Sequence, residues 1–412
     1  MTDAATRTSD SADTGVWHAQ RTDGTTGRTL LWWTAPALVY LGVRQLGVLV
    51  LSLMASRHEA TTTQALTSWD GQWFLGIAAG GYQNAPEQLV DANGQRSDAT
   101  PLAFFPGYPK LVGALADGFG LPYHSVGFAV TLISGVVAAY GIYRIGTLVK
   151  GGSRRVGLIL VALFAASPMG VVLSMTYSEA LFCACASWVL VFLLRRQWLA
   201  AGALCGLAGL VRITAAALVL AVVVSVVIFL VRERDARTGE RLAAIGAAVL
   251  APLGLIGFLW WAGARITPGA DIVTQILSWN ELQAEGWGSA FDGGISTAKY
   301  ALHALATAGS AYDIGTVFVL LTAAVLAVVC CTQRLPWSML IYGLAVFSMV
   351  AGSAGLMNSK ARLLVPAFTL LIPVAVALAR RRPATAVLVV AAAALASGWF
   401  GAHALLVWEY AI

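Results

Sequence analysis

The chain alternates between long apolar runs and short charged loops, after a polar start. Residues 1–29 are rich in Thr, Asp, Ser and Arg and show no apolar periodicity, which predicts a disordered cytoplasmic tail. The first apolar run, 30–54, is too long for the apolar region of a signal peptide, and the segment before it is too long and too acidic. It reads as a retained signal-anchor helix. Further runs fall at 124–149, 156–176, 180–194, 198–212, 214–231, 242–263, 314–332, 336–357, 361–379 and 384–408. With about twenty residues needed per crossing, these predict an all-α, polytopic membrane bundle of about eleven transmembrane helices. The stretch 198–231 reads either as one long helix or as two short ones around Arg212-Ile213-Thr214.

Charge along the loops orders these spans. Lys150, Arg154, Arg155, Arg195, Arg196, Arg232, Arg234, Arg237, Arg241, Arg334 and Arg380 to Arg382 fall on one set of loops. Most acids fall on the other, so the basic set marks the cytoplasmic side and the amino terminus lies inside. Two large loops then face outward, 55–123 and 264–312. Residues 101–119 are too short and too proline-broken to span, and predict an interfacial helix. Residues 271–283 predict another, with Ile272, Ile276 and Trp279 on one face.

Composition agrees. The 412 residues are 58% hydrophobic and only 11% charged, where about 25% charged is usual for soluble domains. The mean hydropathy is +0.76. The net charge of +6 belongs to the cytoplasmic loops and is no nucleic-acid signal. Cys183, Cys185, Cys205, Cys330 and Cys331 all lie in apolar runs and read as small apolar helix residues. No P-loop or Rossmann glycine pattern is present, and His18, His58, His124, His303 and His403 are scattered without metal-ligand spacing. No cofactor and no metal are expected. The inner loops are too short for a nucleotide-binding domain, which points to a lipid-linked donor at the outer face. No internal repeat is visible.

The acids sit at outer span ends and in outer loops: Asp70, Asp117, Glu179, Asp271, Asp292 and Asp313. That distribution suits a reaction at the outer surface better than conduction, which needs acids at mid-membrane depth. Asp70, within Ser68-Trp69-Asp70-Gly71-Gln72-Trp73, is the candidate general base for a sugar hydroxyl, with aromatic neighbours to exclude water. An Asp before Gly also caps helices, and Trp69, Trp73, Phe74 and Tyr82 also suit an interfacial aromatic belt. Glu179, in Tyr177-Ser178-Glu179, either orients an acceptor or favours the positive end of the helix it begins. Arg44 lies near the middle of the first span, where a charge needs a reason, either a lipid-linked phosphate or a cluster of helix carbonyls. Arg44, Arg212, Lys360 and Arg362 are the candidates to hold a phosphate, although the last three also suit snorkelling at the interface.

Ser68-Trp69-Asp70-Gly71-Gln72-Trp73-Phe74 with Gly81-Tyr82 resembles the tryptophan–aspartate motif of PIG-V-type (GPI mannosyltransferase 2-like) mannosyltransferases. Ala103-Phe104-Phe105-Pro106-Gly107-Tyr108-Pro109 resembles that family's phenylalanine–proline segment, and Tyr177-Ser178-Glu179 its tyrosine–serine–glutamate motif. Weaker matches lie at 206–212 and 362–368. Gly107-Tyr108 departs from the family, whose members tend to carry a bulky apolar residue after Phe-Pro.

The resemblance implies a member of the GT-C class of membrane glycosyltransferases, and the Arg, Ala, Gly and Val bias of the chain suggests a high-GC bacterium. It further implies inverting transfer of mannose from a polyprenyl-phosphate donor to an envelope glycan, glycolipid or protein acceptor. Asp70 falls on the acid regarded as catalytic in that class, and Trp69, Gln72, Trp73, Tyr82, Phe105, Tyr108, Tyr177 and Glu179 become candidate substrate-binding residues. The alternative from another class is a lipid-linked glycan flippase or transporter, which Arg44 keeps open.

Overall fold

The computed structural model describes residues 26–307 and 309–408, with side chains from residue 33. The expected tail lies almost wholly outside them, but Thr26 to Thr29 already belong to the first helix. The chain forms two compact units, Met1–Ala35 and Pro36–Ile412, the second holding everything discussed below.

Helix α1 runs Thr26–Ala55. The first long loop carries α2 (Thr62–Leu66), α3 (Asp70–Gly80) and α4 (Gly107–Phe119). The bundle continues with α5 (Tyr123–Leu148), α6 (Arg154–Ala165), α7 (Glu179–Leu194), α8 (Trp198–Gly209), α9 (Ala215–Arg232), α10 (Thr238–Leu250) and α11 (Leu253–Ile266). The second long loop carries α12 (Ile272–Trp287) and α13 (Ile295–Ala306). Then follow α14 (Ala311–Thr332), α15 (Trp337–Gly352), α16 (Lys360–Leu363), α17 (Ile372–Ala379) and α18 (Pro383–Leu406). Among the described residues there is no strand, only one isolated bridge between Phe291 and Ser353. The protein is an all-helical, multi-pass membrane bundle.

The count of crossings differs from the expected eleven. Among the described residues six helices are long and apolar enough to span, and a seventh arises if Met357–Leu363 and Val365–Ala379, bent by 57°, form one broken span. Glu179–Leu194, Trp198–Gly209 and Trp337–Ala351 are apolar but shorter. Each predicted run contains a helix, so the difference lies in length. Helix α6 stops at Ala165 because Pro168 lacks an N–H and disfavours helix in the residue before it, so the expected 156–176 span is a helix followed by irregular chain. The 198–231 stretch is two helices, broken at Arg212. The five cysteines are free and lie in α7, α8 and α14.

The irregular chain after α6 explains Arg44. Backbone groups buried in lipid must be satisfied within the protein. Arg44 Nη1 donates to the Ala165 carbonyl at 3.0 Å, Arg44 Nε donates to Ser174 Oγ at 3.1 Å, and Tyr40 Oη donates to the Leu173 carbonyl at 3.3 Å. Ser397 Oγ donates to the Ser167 carbonyl. The mid-span arginine therefore closes a broken helix. The same irregular segment delivers Tyr177 and Glu179 to the site.

The two long loops are clasped together. Trp279 Nε1 donates to the Leu102 carbonyl at 3.0 Å, Gln283 Nε2 to the Ala103 carbonyl at 3.2 Å, and Asn93 Nδ2 to the Glu285 carbonyl at 2.7 Å. Beyond α12, the Asp292 N–H donates to the Gly352 carbonyl at 3.0 Å and the Ala354 N–H to the Ala290 carbonyl at 2.6 Å. The expected apolar face of α12 is only partly inward: Trp279 is buried, Ile276 half-buried and Ile272 exposed.

Candidate active site

A cavity of about 560 Å³ opens beneath these loops. It is lined by Trp69, Asp70, Gln72 and Trp73 of the first loop, by Phe104 and Phe105, by Ser178 and Arg212, by Trp279, Gln283 and Trp287 of α12, and by Lys360 and Arg362. Six separate stretches of sequence among these meet there.

Asp70 is the first residue of α3, where the helix dipole favours a negative charge. It does not cap the helix. The cap position is Trp69, which makes no side-chain cap bond and stands at φ 55°, ψ −123°. A tryptophan at positive φ costs on the order of 1–3 kcal/mol and persists only where its surroundings enforce it. Tyr177 does so: its Oη accepts the Asp70 N–H at 3.2 Å and donates to the Ser68 carbonyl at 3.3 Å, bracketing the strained residue. Gly71 completes the turn by absence, since a Cβ there would lie 2.7 Å from Thr176 Oγ1.

The Asp70 carboxylate pairs with Arg362, Nη1 to Oδ2 at 2.7 Å, and the Arg362 guanidinium lies 5.3 Å over the Tyr177 ring. The pair meets through one guanidinium nitrogen, and Arg362 Nε has no hydrogen-bond partner. A second pair stands behind it: Arg212 Nη1 contacts Glu179 Oε1 at 2.7 Å and donates to Ser178 Oγ at 3.0 Å. Glu179 is wholly buried, so its carboxylate offsets the charge of Arg212. Neither arginine snorkels. Lys360 also lines the cavity, but its ammonium donates to the carbonyls of Val350 and Ser353, both at 2.6 Å, and so caps α15.

Gly107, the residue that departs from the family pattern, has a structural reason. Its N–H donates to the Leu210 carbonyl at 2.7 Å, and a Cβ would lie 2.8 Å from that oxygen and 2.9 Å from Val211 Cγ2. The phenylalanine–proline segment is thereby fastened to the turn that carries Arg212.

Not every predicted residue reaches the cavity. Arg44 is away from it, occupied as described. Tyr177 and Glu179 stand behind its wall. Tyr108 is fully buried, donating to the Gly127 carbonyl at 2.9 Å, and Tyr82 donates to the Phe104 carbonyl at 2.7 Å. Burial pushes both phenols up, so each remains protonated and able to donate. Trp73 is sandwiched between Phe104, centroids 5.0 Å apart, and the Arg96 guanidinium at 5.0 Å. Gln72 and Trp69 face the cavity. Gln88, Asp91, Gln283 and Ser289 also line it, and none carried a signal in the sequence. The pairing of each acid with its arginine was likewise hidden.

On the far side of α16 lies a second, apolar cavity of about 200 Å³, between α14 and the broken span, lined by Phe318, Leu326, Ala361, Leu364, Val365 and Phe368 among others. The turn from Lys360 to Leu364 thus shows Lys360 and Arg362 to one cavity and Ala361 and Leu364 to the other.

This architecture is the GT-C fold. No protein-family model matches the chain, and no curated protein does either. Among solved structures it is similar to ArnT from Cupriavidus metallidurans in the apo state, with a TM-score of 0.52 and 17% identity over 88% of this chain and 62% of that one. It also resembles the Archaeoglobus fulgidus oligosaccharyltransferase at a TM-score of 0.46 and 15% identity, over 88% of this chain and 53% of that one. The chain therefore spans about three-fifths of ArnT.

Proposed function

We propose that the protein is an inverting glycosyltransferase that moves a sugar, mannose by its motifs, from a polyprenyl-phosphate donor to an envelope glycan, glycolipid or protein at the outer face. The observation that carries this reading is the convergence of Asp70, Arg212 and Arg362 on one cavity beneath the two long loops. The acceptor hydroxyl gives its proton to Asp70 as its oxygen bonds to the anomeric carbon. The bond from that carbon to the phosphate oxygen breaks, and the lipid phosphate leaves with the electron pair, stabilised by the arginines. A donor with a charged head and an isoprenoid tail suits the turn from Lys360 to Leu364, with cations facing one cavity and apolar residues the other. The PIG-V-like motifs support mannose and the GT-C fold supports a lipid-linked donor.

The test is transfer of radiolabelled mannose from polyprenyl-phosphate-mannose to extracted envelope glycolipids by the purified wild type and by Asp70→Asn. Loss of about 100-fold or more in a folded mutant is expected for removal of a general base. Transfer that survives in Asp70→Asn moves the base elsewhere, and a wild type inert with every lipid-phosphate sugar and envelope acceptor tried sinks the donor assignment.

A further inference from the structure

We propose that Arg362 is a hand-off residue: it holds Asp70 in the empty site and passes to the phosphate of the arriving donor, releasing the carboxylate to act as base. This rests on the glycosyltransferase reading above and adds to it an order of events.

Of the three cations at the cavity, Arg362 alone has the proposed base as its counter-ion. Arg212 is balanced by Glu179, which is fully buried and lines no part of the cavity, and Lys360 is tied to two carbonyls. A carboxylate in contact with a guanidinium at 2.7 Å is poorly placed to take a proton through that oxygen. The pair is also incomplete. Arg362 is 8% exposed, yet its Nε has no hydrogen-bond partner, and a buried donor without an acceptor is unfavourable. A phosphate offers several oxygens where Asp70 offers one.

Release would leave the base in place. The Asp70 backbone is held by Tyr177 Oη, not by Arg362, and Tyr177 shelves the guanidinium on its ring face. The carboxylate can be freed while its position is kept. As the glycosidic bond breaks, the phosphate gains negative charge, so the interaction with Arg362 strengthens toward the transition state. When the lipid phosphate departs and Asp70 loses its proton to water, the pair re-forms.

Competition for one arginine makes a thermodynamic prediction. Removing the carboxylate should tighten phosphate binding, and only while Arg362 is present. The experiment measures farnesyl phosphate affinity in detergent for the wild type, Asp70→Asn, Arg362→Gln and the double variant, each checked for monodispersity. The expected result is binding about tenfold tighter in Asp70→Asn, about tenfold weaker in Arg362→Gln, and a gain from Asp70→Asn of less than about twofold when Arg362→Gln is already present. An Asp70→Asn gain of equal size in both backgrounds means plain charge repulsion and overturns the hand-off, as does no gain at all. If Arg362→Gln does not fold, Arg362→Lys replaces it, because an ammonium lacks the guanidinium fork; there the gain should fall below about half, and an undiminished gain overturns the proposal. A wild type that binds no farnesyl phosphate refutes the lipid-phosphate donor itself, and the hand-off with it.

Discussion

Arg44→Leu separates two explanations for a charge in mid-span. If Arg44 serves to close the broken helix after α6, its loss orphans the Ala165 carbonyl and the Ser174 hydroxyl, both inside the bundle. At about 1–3 kcal/mol per orphaned group, the two together are worth about 2–6 kcal/mol. Burying a leucine side chain in the vacated space returns roughly 1.5–3 kcal/mol where it fits. The fit is poor, since the pocket is shaped for a flat guanidinium: a Cβ on Gly170 would lie 2.8 Å, and one on Gly47 3.1 Å, from Arg44 nitrogens. A net loss of about 1–4 kcal/mol corresponds to a fall of roughly 1–5 °C in apparent melting temperature for a chain of this size. The assay is a thermal melt in detergent, paired with farnesyl phosphate binding on the folded fraction at low temperature. Melting should fall while affinity stays within about twofold of the wild type. An unchanged melting temperature with affinity lost about tenfold or more would refute the reasoning and make Arg44 a phosphate ligand.

Two further outcomes test the outer elements. Gly107→Ala pushes a methyl against the Leu210 carbonyl and Val211, and overpacking of that kind typically costs about 1–3 kcal/mol. Transfer should fall by more than the melting temperature implies, because the strained turn carries Arg212; equal activity at equal expression would contradict this. Asp271 caps α12 by accepting from the N–H groups of Val273 and Thr274 at 3.0 and 3.1 Å, and the Thr274 hydroxyl bond, with these, holds its carboxyl below the ordinary 3.8. A lowered folded-state value means the stabilisation is present above the unfolded value and is lost as pH falls through the folded one. Asp271→Ala should therefore speed hydrogen exchange at 272–276 at neutral pH and make little difference under strongly acidic conditions, read by mass spectrometry; no change at neutral pH would count against the cap.

What the sequence determined by itself was whatever depends on local pattern. Apolar runs of helical length force buried backbone into helices, so the class and nearly every helix were legible. Proline and charge marked most ends, and the Arg212 break already stood out as the alternative to one long helix. Asp70 stood out because an acid among aromatics in an outer loop is chemically conspicuous. What only the tertiary structure decided was which charges meet. Asp70 and Arg362 are 292 positions apart, Glu179 and Arg212 are 33 apart, and nothing local specifies such partners. The same holds for Arg44, whose role follows from a helix that ends more than a hundred residues later. Charge in a low-dielectric interior must be matched wherever the fold brings a partner, and that matching is a property of the packed bundle and not of any one segment.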